Sequence, residues 1–226
     1  MIRKIITTGD GSKTIQIQDW NEQYHSIHGA VNEAYHVFID TGLSYITKKA
    51  VAILEIGFGT GLNALITMVE CEKNGRKVDY TGIEAYPITV KELVQLDYIE
   101  TLGVANFKQA FDRMHQSPWE EKTVLTPYFT LKKQKKDFRD ISYTNCYDLI
   151  YFDAFGARVQ PELWTEHIFS KMYKALKSNG VLVTYSAKGS VRRAMQAAGF
   201  LVERLPGPPG KREMIRALKK TGEKDS

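Results

Sequence analysis

Cysteine is scarce in this chain of 226 residues, with only two. Cys71 and Cys146 lie far apart and have no Cys or His neighbour at ligand spacing, which excludes a disulfide framework and a zinc-ribbon type of site. Three of the five histidines fall between residues 25 and 36, with no other feature of a metal centre, and no metal ligand is assigned. No apolar run approaches the roughly 20 residues of a membrane span, so no membrane partner is expected. The start, Met1-Ile2-Arg3-Lys4-Ile5-Ile6, lacks the long apolar stretch and small-residue cleavage site of a signal peptide, and a cytoplasmic location is the expectation. Internal repeats and low-complexity stretches are also missing.

What is present is ordinary in amount and particular in arrangement. Hydrophobic residues make up 43% and charged residues 25%, values of a folded globular chain long enough for one α/β domain. The formal net charge is +5, an excess that favours an anionic partner such as RNA. The cations cluster at Lys132, Lys133, Lys135, Lys136 and Arg139, and recur at Lys188, Arg192, Arg193, Arg204, Lys211, Arg212 and Arg216. Phosphate contact and a plain solvated surface are both open readings of this set.

Residues 2–17 alternate on either side of Gly9-Asp10-Gly11-Ser12 and predict a β-hairpin, read as an N-terminal appendage. A short helix is predicted over 31–39. The apolar run 51–56 ends in a glycine cluster, as a buried parallel strand feeding a turn does, and a helix follows over 62–69. A second strand, 78–83, stops at Glu84, and Pro87 opens a helix through Leu96. Residues 112–128, interrupted by Pro118 and Pro127, read as irregular before a strand over 128–133. Then come a strand over 147–152 ending at Asp153, a helix from Pro161 to about Leu176, a strand over 181–185, and a helix over 191–198. Two short strands, 201–204 and 214–218, close the pattern. This alternation predicts a doubly wound, mostly parallel sheet of Rossmann type with the last strand inserted antiparallel. The division follows as hairpin and lead-in over 1–45, catalytic domain over 46–218, and a flexible polar tail over 219–226.

Glu55-Ile56-Gly57-Phe58-Gly59-Thr60-Gly61 lies at a strand-to-helix junction, where glycines permit a tight turn and close approach to a ligand. Leu62 stands where a dinucleotide fingerprint wants its third glycine, and an acid stands two positions before the first. That variant suits S-adenosylmethionine, which has no pyrophosphate to cradle and carries a sulfonium and an ammonium that an acid such as Glu55 would favour. Glu84, about 20 residues past the loop, is placed to accept from ribose hydroxyls, a solvated strand-end acid being the alternative. Asp137 follows the third strand, where this fold often sets a carboxylate against the adenine amine, although its lysine-rich surroundings also suit a surface acid.

Four blocks carry a resemblance to a known family: His28-Gly29-Ala30 through Glu33 to Val37-Phe38; Glu55 to Asn63; Phe152-Asp153-Ala154-Phe155 through Pro161-Glu162-Leu163-Trp164-Thr165; and Ser186-Ala187 through Val191-Arg192-Arg193 to Lys211-Arg212-Glu213-Met214. From about Tyr24 onward the chain resembles the methyltransferase half of the bifunctional tRNA 5-methylaminomethyl-2-thiouridine biosynthesis protein family, MnmC, and its stand-alone relatives. The resemblance implies a class I S-adenosylmethionine-dependent fold. The implied reaction is methyl transfer to the primary amine of 5-aminomethyl-(2-thio)uridine at the tRNA wobble position, without the FAD-dependent oxidase of the bifunctional members. It carries Glu33, Glu55, Gly57, Phe58, Gly59, Gly61, Asn63, Glu84 and Asp137 into the cofactor-binding set. Phe155, Arg158, Ser186, Arg192, Arg193, Lys211 and Arg212 enter the substrate-binding set. Two departures stand out: Lys132-Lys133-Gln134-Lys135-Lys136 precedes Asp137 where the family is often apolar, and Gly156-Ala157-Arg158 replaces Ala-Pro-Ala-Lys, keeping a cation but losing a proline.

An alkylammonium has a pKa of about 10.4 by analogy with lysine, so its lone pair is occupied near neutrality and the site must favour the free amine. Asp153, at a strand end beside the crevice, is the candidate to orient the amine and accept its proton, with a loop-capping acid as the bland alternative. Phe155 is the candidate to stack on the uracil. Two rival functions remain open at this point: a transferase for small amines of the aminopropyltransferase type, which activity on free polyamines would reveal, and a non-catalytic RNA-binding protein, which would bind tRNA without transfer. Oligomeric state is not legible.

Overall fold

The computed structural model describes residues 2–220. A small antiparallel sheet comes first, from β1 (Arg3–Thr7), β2 (Lys13–Ile17) and β3 (Glu22–Gln23). After α1 (Ala30–Ala34) and a π-helical turn (Tyr35–Asp40), the chain lays down β4 (Ala50–Ile56), α2 (Leu62–Asn74) and β5 (Lys77–Glu84). Two single-turn helices, α3 (Val90–Leu93) and α4 (Tyr98–Thr101), lead to α5 (Lys108–Gln116), β6 (Lys122–Thr126) and β7 (Phe129–Lys135). The remainder is β8 (Tyr147–Phe152), α6 (Glu166–Ala175), β9 (Leu176–Thr184), α7 (Gly189–Ala197), β10 (Leu201–Pro206) and β11 (Glu213–Leu218).

The main sheet runs β10-β11-β9-β8-β4-β5-β7-β6. Its five central strands are parallel, and β11 slots antiparallel between β10 and β9, as the sequence pattern predicts. Side chains alternate across the sheet, and both faces are apolar. Ile53, Tyr80, Leu149 and Val181 join one core with α2 and α5, while Leu54, Ile83, Ile150 and Leu182 join the other with α6 and α7. The order reverses at β4, which pairs β5 on one side and β8 on the other, and the carboxyl ends of these strands open a crevice there.

Several predicted elements take a different form. The helix over 31–39 is α-helical only to Ala34; the wider turn that follows buries Val37, Phe38 and Ile39 consecutively, which a regular helix would not. The helix predicted from Pro87 through Leu96 is a single turn over Val90–Leu93 capped by Thr89, and a second turn, Tyr98–Thr101, starts beyond it after Asp97, whose φ is 42° and which pairs with Lys13. The stretch over 112–128 is regular after all: its two prolines flank the edge strand β6 rather than break it. Pro161 opens a 3-10 turn only, and α6 begins after Thr165, whose hydroxyl accepts from the Ile168 N–H. Of the predicted tail, Lys219 donates to the Leu176 carbonyl at 2.7 Å, and residues 221–226 lie outside the described residues.

At the opposite end of the sheet Asp148, 3% exposed, accepts from Lys48 at 2.6 Å, Lys177 at 2.8 Å and the Ala52 N–H at 2.9 Å. Burial alone would raise its carboxyl, but these donors outweigh it and hold the group below its ordinary value. Its stabilisation is therefore present above the ordinary carboxylate range and lost as pH falls through the lower folded value. Asp148→Asn is expected to cost about 1–3 kcal/mol at pH 7, with the gap to wild type narrowing in acid; urea titrations across pH would read it. A gap of constant size would assign the loss to shape instead of charge.

Candidate active site

The glycine loop is held from below and behind. Gly57, Gly59 and Gly61 all have positive φ (88°, 51° and 75°), a region L side chains rarely adopt. The N–H groups of Gly57 and Phe58 donate to the Ile83 carbonyl at 3.1 and 2.9 Å, tying the loop to the end of β5. A Cβ on Gly57 would meet the Asp153 carbonyl at 2.5 Å, so the missing side chain is what lets the loop lie against the end of β8. Gly61 serves another neighbour: a Cβ there would meet the His115 ring at 3.0 Å, which makes it a packing glycine against α5.

Two cavities meet above this loop. The first, about 1030 Å³ including its open mouth, is lined by Gly57, Phe58 and Gly59, by Glu84 to Tyr86 after β5, and by Asp137 to Arg139 after β7. The second, about 940 Å³ on the same measure, is lined by residues 22–28, Glu33, Tyr185, Ser186, Lys188, Gly210 and Lys211. Tyr24, His25, Ala154 and Phe155 border both. Phe155 is fixed between Trp20 and Tyr24, its ring edge-on to each at 5.6 and 5.0 Å.

Asp153 lies at this seam. Its N–H donates to the Ile56 carbonyl at 2.9 Å, and its Oδ2 accepts from the Asn63 amide at 2.9 Å. The same Asn63 nitrogen donates to Glu55 Oε1 at 2.9 Å, so one amide bridges two carboxyl groups. Burial pushes the carboxyl of the fully enclosed Glu55 well above its usual range, against hydrogen bonds that favour its charge. Burial first, and then the nearby Glu33 charge, raise Asp153 to about 7, against the opposing pull of Asn63 and Lys211. Burial lowers His25 to about 4, leaving a neutral imidazole that shares a 3.2 Å hydrogen bond with the Thr14 hydroxyl.

The residues named from sequence divide accordingly. Glu84 lines the first cavity, its two oxygens accepting from the Gly59 and Tyr86 N–H groups, each at 2.8 Å. Asp137 lines it too, with its carboxylate turned to Arg139, the hydrogen bonds from which hold it below its ordinary pKa. Glu55 and Asn63 sit beneath the loop and do not line the cleft; there Glu55 accepts from the Asn63 amide. Glu33, placed in the cofactor set, lies instead in the second cavity, paired with Lys211. Lys211, expected on phosphates, is thereby committed inside the protein. Arg158 donates to the Trp20 and Asn21 carbonyls and to Glu22, which fastens β3 to the loop after β8. Ser186 is buried in the second cavity. Arg192 and Arg193 on α7, and Arg212, line neither cavity.

Arg3, Trp20, Tyr24, His25 and Tyr185 also wall these cavities, and the sequence reading left them out. The clustering of histidines between 25 and 36 around Glu33 was the available signal. Four of the five come from the N-terminal sheet and its lead-in, which local patterning marks as an appendage.

A family model described as an S-adenosyl-L-methionine-dependent methyltransferase matches residues 104–220. Among curated proteins the chain is similar to the tRNA 5-methylaminomethyl-2-thiouridine biosynthesis bifunctional protein MnmC of Cupriavidus metallidurans, 29% identical over 88% of this chain and 31% of that protein. It is likewise similar to the protein of the same name from Aromatoleum aromaticum, 31% identical over 87% of this chain and 32% of that protein. The chain thus spans about a third of the length of these relatives. Among solved structures it matches MNMC2 from Aquifex aeolicus with a TM-score of 0.76, 25% identity, and coverage of 97% of this chain and 71% of that one. Fold, glycine loop and family match agree: the chain belongs to the S-adenosyl-L-methionine-dependent methyltransferases.

Proposed function

We propose that the chain transfers the methyl group of S-adenosylmethionine to the primary amine of 5-aminomethyl-(2-thio)uridine at the tRNA wobble position, giving 5-methylaminomethyl-(2-thio)uridine. The observation that carries this reading is the placement of the Asp153 carboxyl in the wall of a nucleotide-sized cleft, one residue before Ala154 and Phe155, which line both that cleft and the second cavity. Relatives named for biosynthesis of this nucleoside supply the substrate.

The first cavity fits the cofactor, which when bound supplies an electrophilic methyl group. Gly57 and Gly59 keep the loop clear of side chains, the Glu84 carboxylate is an acceptor for ribose hydroxyls, and Asp137 and Phe138 form the wall where adenine would lie. The second cavity takes the modified uridine, with Phe155 as the aromatic surface at its inner end and Ser186 as a polar contact. Asp153 accepts a proton from the substrate ammonium, freeing the nitrogen lone pair to attack the methyl group, and after it passes that proton to solvent its carboxylate faces the positive charge on the methylated amine. A base with a proton affinity near the working pH both accepts and releases readily, which suits this task. The hairpin with its lead-in, 1–45, forms the roof of the domain over 46–218, and tRNA is the macromolecular partner.

Two outcomes are expected. Gly59→Val places a β-branched side chain at a φ of 51° and against the Tyr24 ring, 3.0 Å from its Cβ, and should abolish cofactor binding by calorimetry in a folded protein. Unchanged affinity would remove the loop from the site. Asp153→Asn keeps the shape and removes the charge, so single-turnover transfer to tRNA should fall by a factor on the order of 10² while cofactor affinity changes far less. A near-normal rate would take Asp153 out of the mechanism, and equal losses in both would make it a binding residue.

A further inference from the structure

The wall of the second cavity contains a charged pair that methyl transfer by itself does not call for. Glu33, 5% exposed, keeps Oε1 on the Ser26 N–H at 2.9 Å and pairs its other oxygen with the Lys211 ammonium, and both residues line the cavity. The Lys211 Nζ also lies 3.8 Å from the centroid of the Tyr185 ring. The Tyr185 hydroxyl donates to the Ala154 carbonyl at 2.9 Å, which joins this wall to the segment that carries Phe155.

The loop that delivers the lysine is shaped for it. A side chain on Gly207 would strike the Lys211 carbonyl, and one on Gly210, whose φ is 82°, would strike the His28 ring. His36 Nε2 shares a 2.8 Å hydrogen bond with the Pro206 carbonyl at the start of the loop. Even so, the two charged groups are not used up by one another. A carboxylate accepts through both oxygens several times over, and an ammonium has more than one N–H to give. Among the described residues, the contacts just named engage each Glu33 oxygen once and a single Lys211 N–H. An acceptor and a donor therefore remain side by side in the cavity wall. By contrast Arg158, which also lines the cavity, is spent on the Trp20 and Asn21 carbonyls and on Glu22.

The substitution pattern of the modified base decides which of its edges meets them. Its aminomethyl arm, on C5, has to reach the first cavity, in whose wall Asp153 stands. Its ribose, on N1, has to lead out past the rim, where Lys188 is exposed, to the rest of the RNA. The edge across the ring from N1 then faces the buried wall that holds Glu33, while Phe155 is available to a ring face. In uracil that edge presents the C4 carbonyl beside the N3–H, an acceptor next to a donor. Cytosine presents the reverse, an amino donor on C4 beside an acceptor at N3.

We infer that Glu33 and Lys211 read this edge of the base, Lys211 donating to O4 and Glu33 accepting from N3–H, so that the pair selects uracil over cytosine. This rests on the proposed transfer to 5-aminomethyluridine. Both contacts are charge-assisted, and a site built from such groups rejects a base that leaves them unpaired.

Methyl transfer is measured as kcat/KM on three anticodon stem-loop RNAs with the same amine at the wobble position: 5-aminomethyluridine, its N3-methyl derivative and 5-aminomethylcytidine. The wild-type protein should prefer the first over each of the others by a factor on the order of 10². Glu33→Gln, whose amide can donate to N3 of cytosine, should cut the preference over cytidine on the order of tenfold. Lys211→Met should lose on the order of tenfold on the uridine RNA and far less on the cytidine RNA. Calorimetry of S-adenosylmethionine binding, expected to be unchanged, shows that each variant is folded. Equal use of the three RNAs by the wild-type protein would overturn the inference. So would variants that slow all three RNAs by one common factor, the behaviour of a pair that only fastens the 206–212 loop to α1. Should Lys211→Met fail to fold, Glu33→Gln and the wild-type comparison still decide it. A wild-type protein that leaves 5-aminomethyluridine unmethylated would remove the proposed function itself, whereas transfer with unmoved preferences removes the inference alone.

Discussion

Placing several carboxyl groups at one end of the sheet without letting them repel one another is the constraint around which the site is built. Glu33, Glu55, Glu84 and Asp153 all converge on the carboxyl end of the sheet, and each is accommodated by different chemistry. Burial shifts Glu55 toward its protonated form, and the Asn63 amide donates to it. Glu84 is satisfied by backbone N–H groups of the glycine loop and of Tyr86. Glu33 has a lysine. Asp153 has, among the described residues, a single side-chain donor, the Asn63 amide that it shares with Glu55. Were both carboxyls ionised, the shared amide would have to hold two anions together.

That accommodation depends on elements the Rossmann-type sheet does not contain. Strand order brings Gly57 against the end of β8 and thereby fixes Asp153. The cavity beyond it is closed by the N-terminal sheet and by the loop between β10 and β11. Arg3 ties that small sheet to the main domain through the Tyr86 carbonyl at 2.8 Å, and Arg158 ties it from the other side. Removal of side-chain volume at Gly207 and Gly210 then lets the C-terminal loop lie flat enough for Lys211 to turn inward. The roof is therefore held by cations committed to protein acceptors, and the sheet beneath it provides the fixed reference for their geometry.

The legible and illegible parts of the sequence differ by the range of the interactions involved. The central strands could be read because a strand buried on both faces is a continuous apolar run, and the glycine loop because its residues are adjacent. β6 was missed since an edge strand exposes half its length and its pattern, Lys-Thr-Val-Leu-Thr, carries little periodic signal. Periodicity identified the hairpin but not its partner, so residues such as Tyr24 and His25 went unnoticed. The roles of Glu33 and Lys211 were exchanged for others because their pairing spans 178 positions, and no local rule connects residues at that distance. The depth at which Glu55 is buried depends on the packing around β4 and could not be read from the loop pattern.

The same reasoning changes how the basic character of the chain bears on RNA. A net charge of +5 counts every cation equally, whereas the structure spends some internally: Lys133, 2% exposed, donates to the His115 carbonyl at 2.8 Å, and Lys211 is held by Glu33. Those cations shape the site and are poorly placed to release counterions on contact with phosphate. Exposed Lys188 at the rim of the second cavity stands next to the proposed uridine, while Arg192 and Arg193 on α7 are set back from it. On the proposed function, position relative to the cavity, more than the total of basic residues, therefore decides which cations can meet the RNA near Phe155.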